Sequence, residues 1–345
     1  MNQTLPTIKE MAIRLKVSTS TVSRALSNHP RIGLKTRMEV QKLAKEIGYE
    51  ANAKAIFFKE KRSNIIGVIV PQIREEFFSE AISGIESIAV EKDYTILFAQ
   101  SFDDPEREEK VVDSMRKQRV DGLIISLSKQ TTKFSHFHKL DKLNIPVVYF
   151  DRVPSFSNAH KVYCDLYTGT IKMIQWLFKK GYRRIGLING PSNLAASKER
   201  LKGYIDGIVK QHLKVDMQLV EETDFSKETT CRAMHKLLNQ KHPPTAIISF
   251  NDYVHMDAVQ FAISNNIKVN RDIAFVSYAN LPITGHIAYP PLISIEQYPF
   301  AQGSKAIEVL ISLIQNQAQI ADTDFVSIEV SPDLKETPVV SSPYY

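Results

Sequence analysis

A segment rich in short hydroxyl side chains, residues 18–23, ends next to Arg24, and this combination suits contact with DNA. Hydroxyls of this size bond to phosphates and base edges without bulk, and an arginine reaches a phosphate or a guanine edge. The spacing of Val22, Ala25 and Leu26 predicts a helix that buries these three residues and leaves the hydroxyls and Arg24 outside. An ordinary surface pair of helices is the alternative, but it would not need so many outward hydroxyls beside a basic residue.

A shorter amphipathic helix is predicted immediately before this one. Its apolar residues recur at helical spacing: Ile8, Met11, Ala12 and Leu15. Val17 follows in a tight turn, and Ser18 stands where an N-cap would begin the outer helix. The two helices form a predicted helix-turn-helix, which would present its hydroxyl-bearing face to a DNA major groove.

The positive charge of the chain is concentrated in the same region. Residues 1–62 hold thirteen Lys or Arg and five Asp or Glu, a net of +8, whereas the whole chain of 345 residues carries +6. A basic head on a near-neutral body is typical of a nucleic-acid-binding module joined to a domain with another purpose. Membrane surfaces also attract basic segments, but this head lacks the apolar face of an interfacial helix, apart from Phe57 and Phe58.

From residue 64 onwards the sequence alternates between strand and helix patterns. Ile65–Val70 is an apolar run bounded by Pro71, which predicts a buried parallel strand. Further strands are predicted at Tyr94–Ala99, Gly122–Ser126, Ile145–Phe150, Arg184–Ile188, Ala246–Phe250 and Ile273–Tyr278. Helices are predicted at Phe78–Glu91, after Asp104-Pro105, at Ser197–Lys210 and at Asp252–Ser264. This alternation is too long for one core, so we predict an α/β body of two doubly wound lobes.

The succession of motifs resembles that of lac repressor-type (LacI/GalR) transcription regulators over almost the whole chain. Pro30 to Tyr49 is similar to that family's third helix, and Asn52-Ala53-Lys54-Ala55 matches the Asn-x-x-Ala of its hinge helix. Arg62 to Pro71 looks like the first strand of its effector domain. The resemblance implies an all-α helix-turn-helix head and a periplasmic-binding-protein-like body whose chain crosses between lobes three times. We place these crossings near Cys164, Leu292 and Phe325.

The resemblance also implies a hinge that forms a short helix on DNA, pairs with that of a second subunit and inserts a leucine into the minor groove. Aligning Asn52 and Ala55 places Phe58 at the leucine position, and phenylalanine also serves as a minor-groove wedge. Two residues depart from the family pattern, since Ala51 replaces a proline and Ile56 replaces an arginine. The alternative is that Phe58 and the phenylalanine before it pack on the body.

These arguments divide the chain into a head (1–49), a hinge (50–62), a two-lobed effector-binding and dimerisation domain (63–331) and a tail (332–345). The tail is expected to be partly disordered, and its lack of a leucine heptad argues against tetramers formed through it. The residues predicted to contact DNA are Thr7, Ser18, Thr19, Ser20, Thr21, Ser23, Arg24, Asn28, His29, Arg31, Asn52 and Phe58.

Ligands of open α/β lobes bind beyond the carboxyl ends of the strands, between the lobes. The residues at such positions, which also look like the family's effector contacts, are Phe77, Phe78, Ser126, Asp151, Arg200, Phe225, Asn251, Asp252 and Gln297. Arg200 begins an Arg-x-x-Gly-Tyr motif that is similar to the family's. Aromatic rings would stack on a sugar or base, while Arg, Asp and Asn would bind its hydroxyls or carboxylate.

The effector side departs from the family at the end of one predicted strand. Tyr278-Ala279-Asn280 stands where relatives often have Phe-Asp-Asp or Phe-Asp-Asn, so an effector-binding aspartate is alanine here. Asp257 points about 140° around its helix from Asp252 and is a poor substitute. We therefore expect little response to neutral hexoses, and a larger, anionic or phosphorylated effector bound through Arg200. The alternatives are structural roles, in which Asp252 caps the helix that begins there and Arg200 serves the fold.

Enzyme motifs are not found, since the chain has no Gly-x-Ser-x-Gly elbow, Walker loop or Rossmann glycine fingerprint. We predict no cofactor and no metal site, and we expect His136 and His138 at the surface because they diverge at helical pitch. Cys164 lies in an apolar run and is expected to be a buried free thiol. No signal-peptide pattern or apolar stretch of the ~20 residues of a membrane span occurs, so we expect a cytoplasmic protein.

The sequence therefore predicts a homodimeric transcription regulator, in the first place a repressor, that binds a near-palindromic operator and responds to a small-molecule effector. One alternative is a DNA-binding regulator with a degenerate pocket controlled by a protein partner. Another is a solute-binding protein that shares the two lobes, although the basic head and the missing signal-peptide pattern argue against it.

Overall fold

The computed structural model describes residues 6–49, 62–316 and 325–337, and the chain divides into two compact units, Met1–Ser63 and Asn64–Tyr345. The described part of the first unit contains the helices α1 (Ile8–Leu15), α2 (Thr19–Leu26) and α3 (Leu34–Glu46). Each helix contributes a fully buried residue to a shared core: Met11, Val22 and Val40. The first two helices are those predicted as a helix-turn-helix.

The second unit contains two six-stranded sheets, one at the centre of each lobe. The strands of the first lobe are β1 (Ile65–Val70), β2 (Thr95–Gln100), β3 (Gly122–Ile125), β4 (Val147–Phe150), β5 (His160–Cys164) and β11 (Ser327–Val330). The strands of the second lobe are β6 (Ile185–Asn189), β7 (Val220–Glu222), β8 (Ala246–Ser249), β9 (Ala274–Ala279), β10 (Ile293–Glu296) and β12 (Asp333–Glu336). The strand orders are β11-β5-β4-β3-β1-β2 and β12-β10-β9-β8-β6-β7, and every pair is parallel except β10 with β12.

Helices cover both faces of each sheet, which is why the central strands are buried and mostly apolar. They are α4 (Glu76–Glu91), α5 (Pro105–Gln118), α6 (His138–Asp141), α7 (Leu166–Lys179), α8 (Ala195–Lys210), α9 (Lys227–Leu238), α10 (Asp252–Ser264) and α11 (Pro299–Gln315). Two doubly wound lobes are thus confirmed. The bounds of β1 and α10 match the prediction, and the other predicted elements differ at their ends by one or two residues. None of the described helices is long and apolar enough to span a membrane.

The helices α4 and α11 approach each other backbone to backbone. A Cβ atom placed on Gly303 would lie 2.0 Å from the carbonyl oxygen of Ala81, and one on Gly84 would lie 2.1 Å from that of Phe300. Any side chain larger than hydrogen at either position would push the helices apart, so both glycines are required for this contact.

The chain crosses between the lobes three times, as the resemblance implies, but two crossings come later than predicted. The first follows Cys164, the last residue of β5. The second lies at Gln297 and Tyr298 rather than near Leu292, because β10 still belongs to the second sheet. The third lies at residues 331–332 rather than near Phe325, because β11 completes the first sheet.

The first part of the tail, which is predicted to be partly disordered, is an ordered strand. Asp333–Glu336 form β12, which pairs antiparallel with β10. The indole N–H of Trp176 donates to Glu336 Oε1 at 2.8 Å and ties this strand to α7. The body therefore continues past residue 331, to an edge strand whose polar side chains gave no apolar pattern. Residues 338–345 lie outside the described residues.

Candidate functional site

Side-chain caps determine where the helices of the first unit begin. The Ser18 hydroxyl accepts a hydrogen bond from the Thr21 amide at 3.1 Å, so Ser18 is the N-cap of α2, as predicted. Thr7 caps α1 in the same way, by accepting from the Glu10 amide at 3.3 Å. Both hydroxyls, which the sequence assigned to DNA contact, are therefore engaged in holding the two helices.

The remaining hydroxyl-bearing face of α2 is open to solvent. Thr19, Ser20 and Arg24 are exposed, while Thr21 and Ser23 are half-buried. No hydrogen bond or ion pair joins the Arg24 guanidinium to another described residue. An exposed arginine with unused donors beside two small hydroxyls is an arrangement that binds phosphates and base edges.

Three further predicted DNA contacts lie in the turn between α2 and α3. Asn28 adopts a left-handed backbone with φ of 54°, and its Oδ1 accepts from Gln41 Nε2 at 2.9 Å. His29 Nδ1 accepts from the Arg31 amide at 3.2 Å, while the Arg31 side chain is exposed. Asn28 and His29 thus hold the turn, and Arg31 adds a second exposed cation. Two predicted hinge contacts lie outside the described residues: Asn52 and Phe58.

The second unit has a cleft between its lobes, at the carboxyl ends of β1, β4, β8 and β9. Its enclosed volume is about 50 Å³, and the cleft opens further to solvent. The lining residues are Glu75, Phe77, Phe78, Asp151, Arg152, Leu194, Ala196, Arg200, Phe250, Asn251, Tyr253, Ala279, Leu281 and Gln297. Six of the nine residues predicted as effector contacts are among them: Phe77, Phe78, Asp151, Arg200, Asn251 and Gln297.

Arg200 is a buried cation inside this cleft. It is 3% exposed, and its guanidinium carbon lies 3.9 Å from the ring centre of Phe250 and 4.4 Å from that of Tyr278. Its Nε and Nη1 atoms have no hydrogen-bond partner among the described residues. Burial lowers the pKa of Arg200, although Tyr278 and Asp151 oppose this effect. Because buried donors without acceptors cost free energy, the cleft is suited to a ligand that supplies an acceptor.

The rest of the Arg-x-x-Gly-Tyr motif positions this arginine. The Tyr204 hydroxyl donates to the Ile185 carbonyl at 2.7 Å and anchors α8 on β6. A Cβ atom on Gly203 would lie 2.6 Å from the carbonyl oxygen of Tyr167, so glycine is needed for α8 to lie against α7. With these two residues facing the lobe, Arg200 faces the cleft.

A charged group from the first lobe lies across the cleft. Arg152 Nη1 is 2.5 Å from Asp103 Oδ1, and its guanidinium lies 5.5 Å from the Phe78 ring centre. Burial raises the pKa of Asp151, although the positive charges of Arg152 and Arg200 oppose this shift. Burial likewise raises the pKa of Glu75, opposed by Arg152. The neighbouring carboxyls are thus shifted toward their neutral forms, which lessens their repulsion of an anionic ligand.

The hypothesis that Asp252 caps α10 was wrong. Asn251 is the N-cap, since its Oδ1 accepts from the Val254 amide at 2.9 Å. Asp252 is fully buried, and its Oδ2 accepts from the Leu281 amide at 2.7 Å. Burial raises the pKa of Asp252 to about 7. Asp252 therefore lies behind the cleft and holds the segment that follows β9.

Two other predicted effector residues are not among the lining residues. Ser126 is fully buried, with its Oγ 3.5 Å from Asp151 Oδ2. Phe225 stacks on Phe250 with ring centres 4.6 Å apart, and it is Phe250 that lines the cleft. Ala279, which replaces the family's aspartate, does line it, with a left-handed backbone (φ of 97°).

Several lining residues were missed by the sequence prediction: Glu75, Leu194, Ala196, Phe250, Tyr253 and Leu281. Phe250 is itself the last residue of a predicted strand, so the strand-end rule could have included it. Tyr253 gave no such signal, because it faces the opposite lobe from the first turn of α10. Asp257, the substitute judged poor from its helical angle, does not line the cleft.

Direct hydrogen bonds join the two lobes around the cleft. The Tyr253 hydroxyl accepts from the Glu76 amide at 3.3 Å, and a Glu76 carboxylate oxygen accepts from the Ile283 amide at 3.0 Å. Lys129 Nζ donates to the Asp224 carbonyl at 3.0 Å. Any opening of the cleft would break these bonds.

The surface position predicted for His136 was wrong. His136 is buried, and its Nε2 lies 3.3 Å from Oε1 of Glu108, a carboxylate that also accepts from the Ser128 amide at 2.7 Å. Helical pitch did not apply because the residues before His138 form a loop, and only His138 is exposed.

The expectation for Cys164 is confirmed, since it is a buried free thiol whose pKa is raised by burial to about 12.

Models of known families match both units. Residues 7–52 match the bacterial regulatory proteins of the lacI family, and residues 63–331 match the periplasmic binding proteins and sugar binding domain of the LacI family.

Relatives and solved structures agree with these matches. The HTH-type transcriptional repressor CytR of Escherichia coli (strain K12) is 31% identical over 315 residues, 91% of this chain and 92% of that protein. The repressor PurR of Klebsiella pneumoniae (strain 342) is 30% identical over 336 residues, 96% of each chain. The lac repressor dimer bound to operator and the anti-inducer ONPF has a TM-score of 0.81 at 23% identity, covering 96% of this chain and 98% of that one, which shows the fold.

Proposed function

The chain belongs to the LacI family of bacterial regulatory proteins, and we propose that it is a homodimeric repressor whose operator affinity is set by a small molecule bound between its lobes. The similarity to repressors over nine-tenths of the chain supports transcription regulation rather than enzyme activity. Two copies related by a two-fold axis would place their α2 helices in the two halves of a near-palindromic operator. Sedimentation of the full chain should give twice the protomer mass of 39.2 kDa.

The observation that carries this proposal is the exposed face of α2. A capped helix on a basic unit holds Arg24 and its neighbouring hydroxyls outward, and no described residue forms a hydrogen bond or ion pair with the Arg24 guanidinium. We propose that α2 lies in the major groove, with Arg24 on a phosphate or a guanine edge. Phe58, at the leucine position of the family's hinge, is proposed as the minor-groove wedge on the strength of the sequence alone.

Replacement of Arg24 by alanine tests this assignment. We expect Arg24→Ala to weaken binding to a selected operator by about 1–3 kcal/mol, and wild-type affinity to fall steeply with salt because several phosphates are neutralised. Gel-shift titrations at two salt concentrations measure both effects. Arg14→Ala is the matched control, because that arginine already pairs with Glu10 at 2.5 Å. Equal losses in the two variants would show that Arg24 contributes only general charge.

The effector that we propose is anionic, with a flat or apolar portion. Arg200 supplies unused buried donors, and Phe78, Phe250 and Tyr253 supply aromatic surface. With Ala279 in place of an aspartate, the cleft lacks one acceptor for the hydroxyls of a neutral sugar. Binding of such a ligand would favour one separation of the lobes, and operator affinity would change by the ligand's preference for that state.

Calorimetry of the full chain with glucose, galactose and ribose, and with the phosphate of each, tests this class of effector. We expect at least one phosphate to bind more tightly than its parent sugar, and Arg200→Ala to remove that difference. Micromolar binding of a neutral hexose that survives Arg200→Ala would contradict the proposal.

A further inference from the structure

A second pocket lies within the second lobe and shares no lining residue with the cleft. It is formed where β6 ends, between the loop to α8, the first turns of α8 and the edge strand β7. Its enclosed volume is about 160 Å³, which is larger than the 50 Å³ or so of the cleft. Ser197 and Leu201 line it, whereas Ala196 and Arg200 line the cleft, so the two cavities lie about 100° apart around one helix.

Two buried polar side chains in the wall of this pocket have unused hydrogen-bonding atoms. Asn189 is 6% exposed and Ser197 is 1% exposed. Asn189 Nδ2 donates to the Ser197 carbonyl at 2.9 Å, but Asn189 Oδ1 and Ser197 Oγ have no partner among the described residues. Neither residue takes part in the cleft or in the joining of the lobes. Because buried polar atoms are normally satisfied, these two indicate a partner from outside the chain.

The pocket is lined by one lysine, Lys198, and two glutamates, of which Glu221 is already paired with Lys236 at 2.8 Å, so one unpaired group of each charge is left for a ligand. Lys198 is exposed, and no ion pair or hydrogen bond engages its amine within the described chain. Glu222 Oε1 accepts a hydrogen bond from the Ser192 amide at 3.0 Å, which leaves the second carboxylate oxygen of Glu222 for a ligand. Opposite charges at one mouth do not favour a ligand with a net charge of either sign. Leu201 and Val220 add an apolar wall.

We infer that this pocket binds a small uncharged polyhydroxy compound. Each hydroxyl both donates and accepts, so one molecule can satisfy the amide oxygen of Asn189, the hydroxyl of Ser197 and the amine of Lys198. The C–H face of the same molecule would lie on Leu201 and Val220, as amphipathic ligands require. This site is independent of the anionic effector proposed for the cleft.

Methyl NMR of the full-length protein distinguishes the two cavities. With leucine and valine methyls labelled, Leu201 and Val220 report on the pocket, while Leu194 and Leu281 report on the cleft. The probes are glycerol, xylitol and ribose. We expect at least one of them to cause saturable shifts at Leu201 and Val220. Absence of saturable shifts there with all three probes, or shifts at the cleft methyls alone, would overturn the inference.

Variants of α8 complete the test. Lys198→Met should weaken the pocket's affinity about tenfold, the loss of one charge-assisted hydrogen bond. Lys202→Met is the matched control, because it removes an exposed lysine of the same helix that does not line the pocket. Ser197→Ala should weaken binding to a similar extent. If that substitution of a buried residue unfolds the protein, Lys198→Met still tests the site, because Lys198 is exposed. Shifts that persist unchanged in Lys198→Met would count against the site.

Discussion

Replacement of Arg200 by methionine should have opposite consequences for ligand binding and for folding. Methionine keeps an unbranched chain of similar length between Phe250 and Tyr278 but removes the charge and its donors. If Arg200 is held for a ligand, the ligand-free protein gains little from it, whereas the complex depends on it. If Arg200 serves the fold, the ligand-free protein should lose stability.

The contacts of Arg200 allow the size of each effect to be estimated. Removal of the cation forfeits contacts with two rings, worth about 0.5–2 kcal/mol each, and relieves a desolvation penalty of several kcal/mol. The free energy of unfolding of ligand-free Arg200→Met should therefore stay within about 1 kcal/mol of wild type, or exceed it. Loss of a charge-assisted hydrogen bond to the effector costs about 1.5–3 kcal/mol, which is roughly a 10- to 150-fold loss of affinity.

Urea unfolding of the ligand-free protein and calorimetry with the effector measure the two quantities separately. Arg183→Met is the matched control, since Arg183 lies 3.7 Å from the ring centre of Phe178 on the surface, away from the cleft. It should leave effector binding unchanged. A loss of more than about 3 kcal/mol of stability in ligand-free Arg200→Met, or unchanged effector affinity, would refute the assignment.

Three further substitutions test other parts of the structure. The folded protein holds a proton on Asp252 up to about pH 7, which the unfolded chain releases near its ordinary pKa of 3.8. The unfolding free energy of the wild type should therefore fall relative to that of Asp252→Asn as pH rises from about 4 to 7, by at most about 4 kcal/mol. Urea unfolding at several pH values measures this difference, and a difference that does not change with pH would contradict the prediction. Gly303→Ala should lower the unfolding free energy by about 1–3 kcal/mol in the same assay, because the new Cβ would clash with the Ala81 carbonyl. Gly285→Ala is the control and should leave the unfolding free energy unchanged, because a Cβ there has no atom within 4 Å. Ser18→Ala should cost about 1 kcal/mol through loss of the α2 cap, seen as faster amide exchange in α2 alone; unchanged exchange would argue against the cap.

Local signals explain which elements were predictable from the sequence. The bounds of β1 followed from an apolar run closed by Pro71, and the start of α2 followed from one capping serine. β12 had no such signal, because Asp333–Glu336 become a strand only by pairing with β10, about forty residues earlier in the chain. His136 shows the same limit, since its burial depends on a loop that no periodicity describes.

The cleft was predictable where it depends on strand ends and not where it depends on how the lobes face each other. Asp151 follows β4 directly, and Arg200 was found through its motif. Which ring of the stacked pair Phe225 and Phe250 faces the cleft is decided by packing, which spacing does not encode. Tyr253 belongs to the site because of its hydrogen bond to the opposite lobe.

The last two strands affect how the chain can mature during synthesis. β11 and β12 are separated by two residues, yet each forms the outer edge of a different sheet. A chain emerging from the ribosome can pair the other strands of both lobes before either edge exists. A nascent or prematurely terminated chain that stops before Ser327 would leave β5 and β10 as open edges, with unpaired backbone groups able to recruit strands from other molecules. Ten residues, Ser327–Glu336, thus cover the edges of both β5 and β10, and only a chain translated past them has both edges paired.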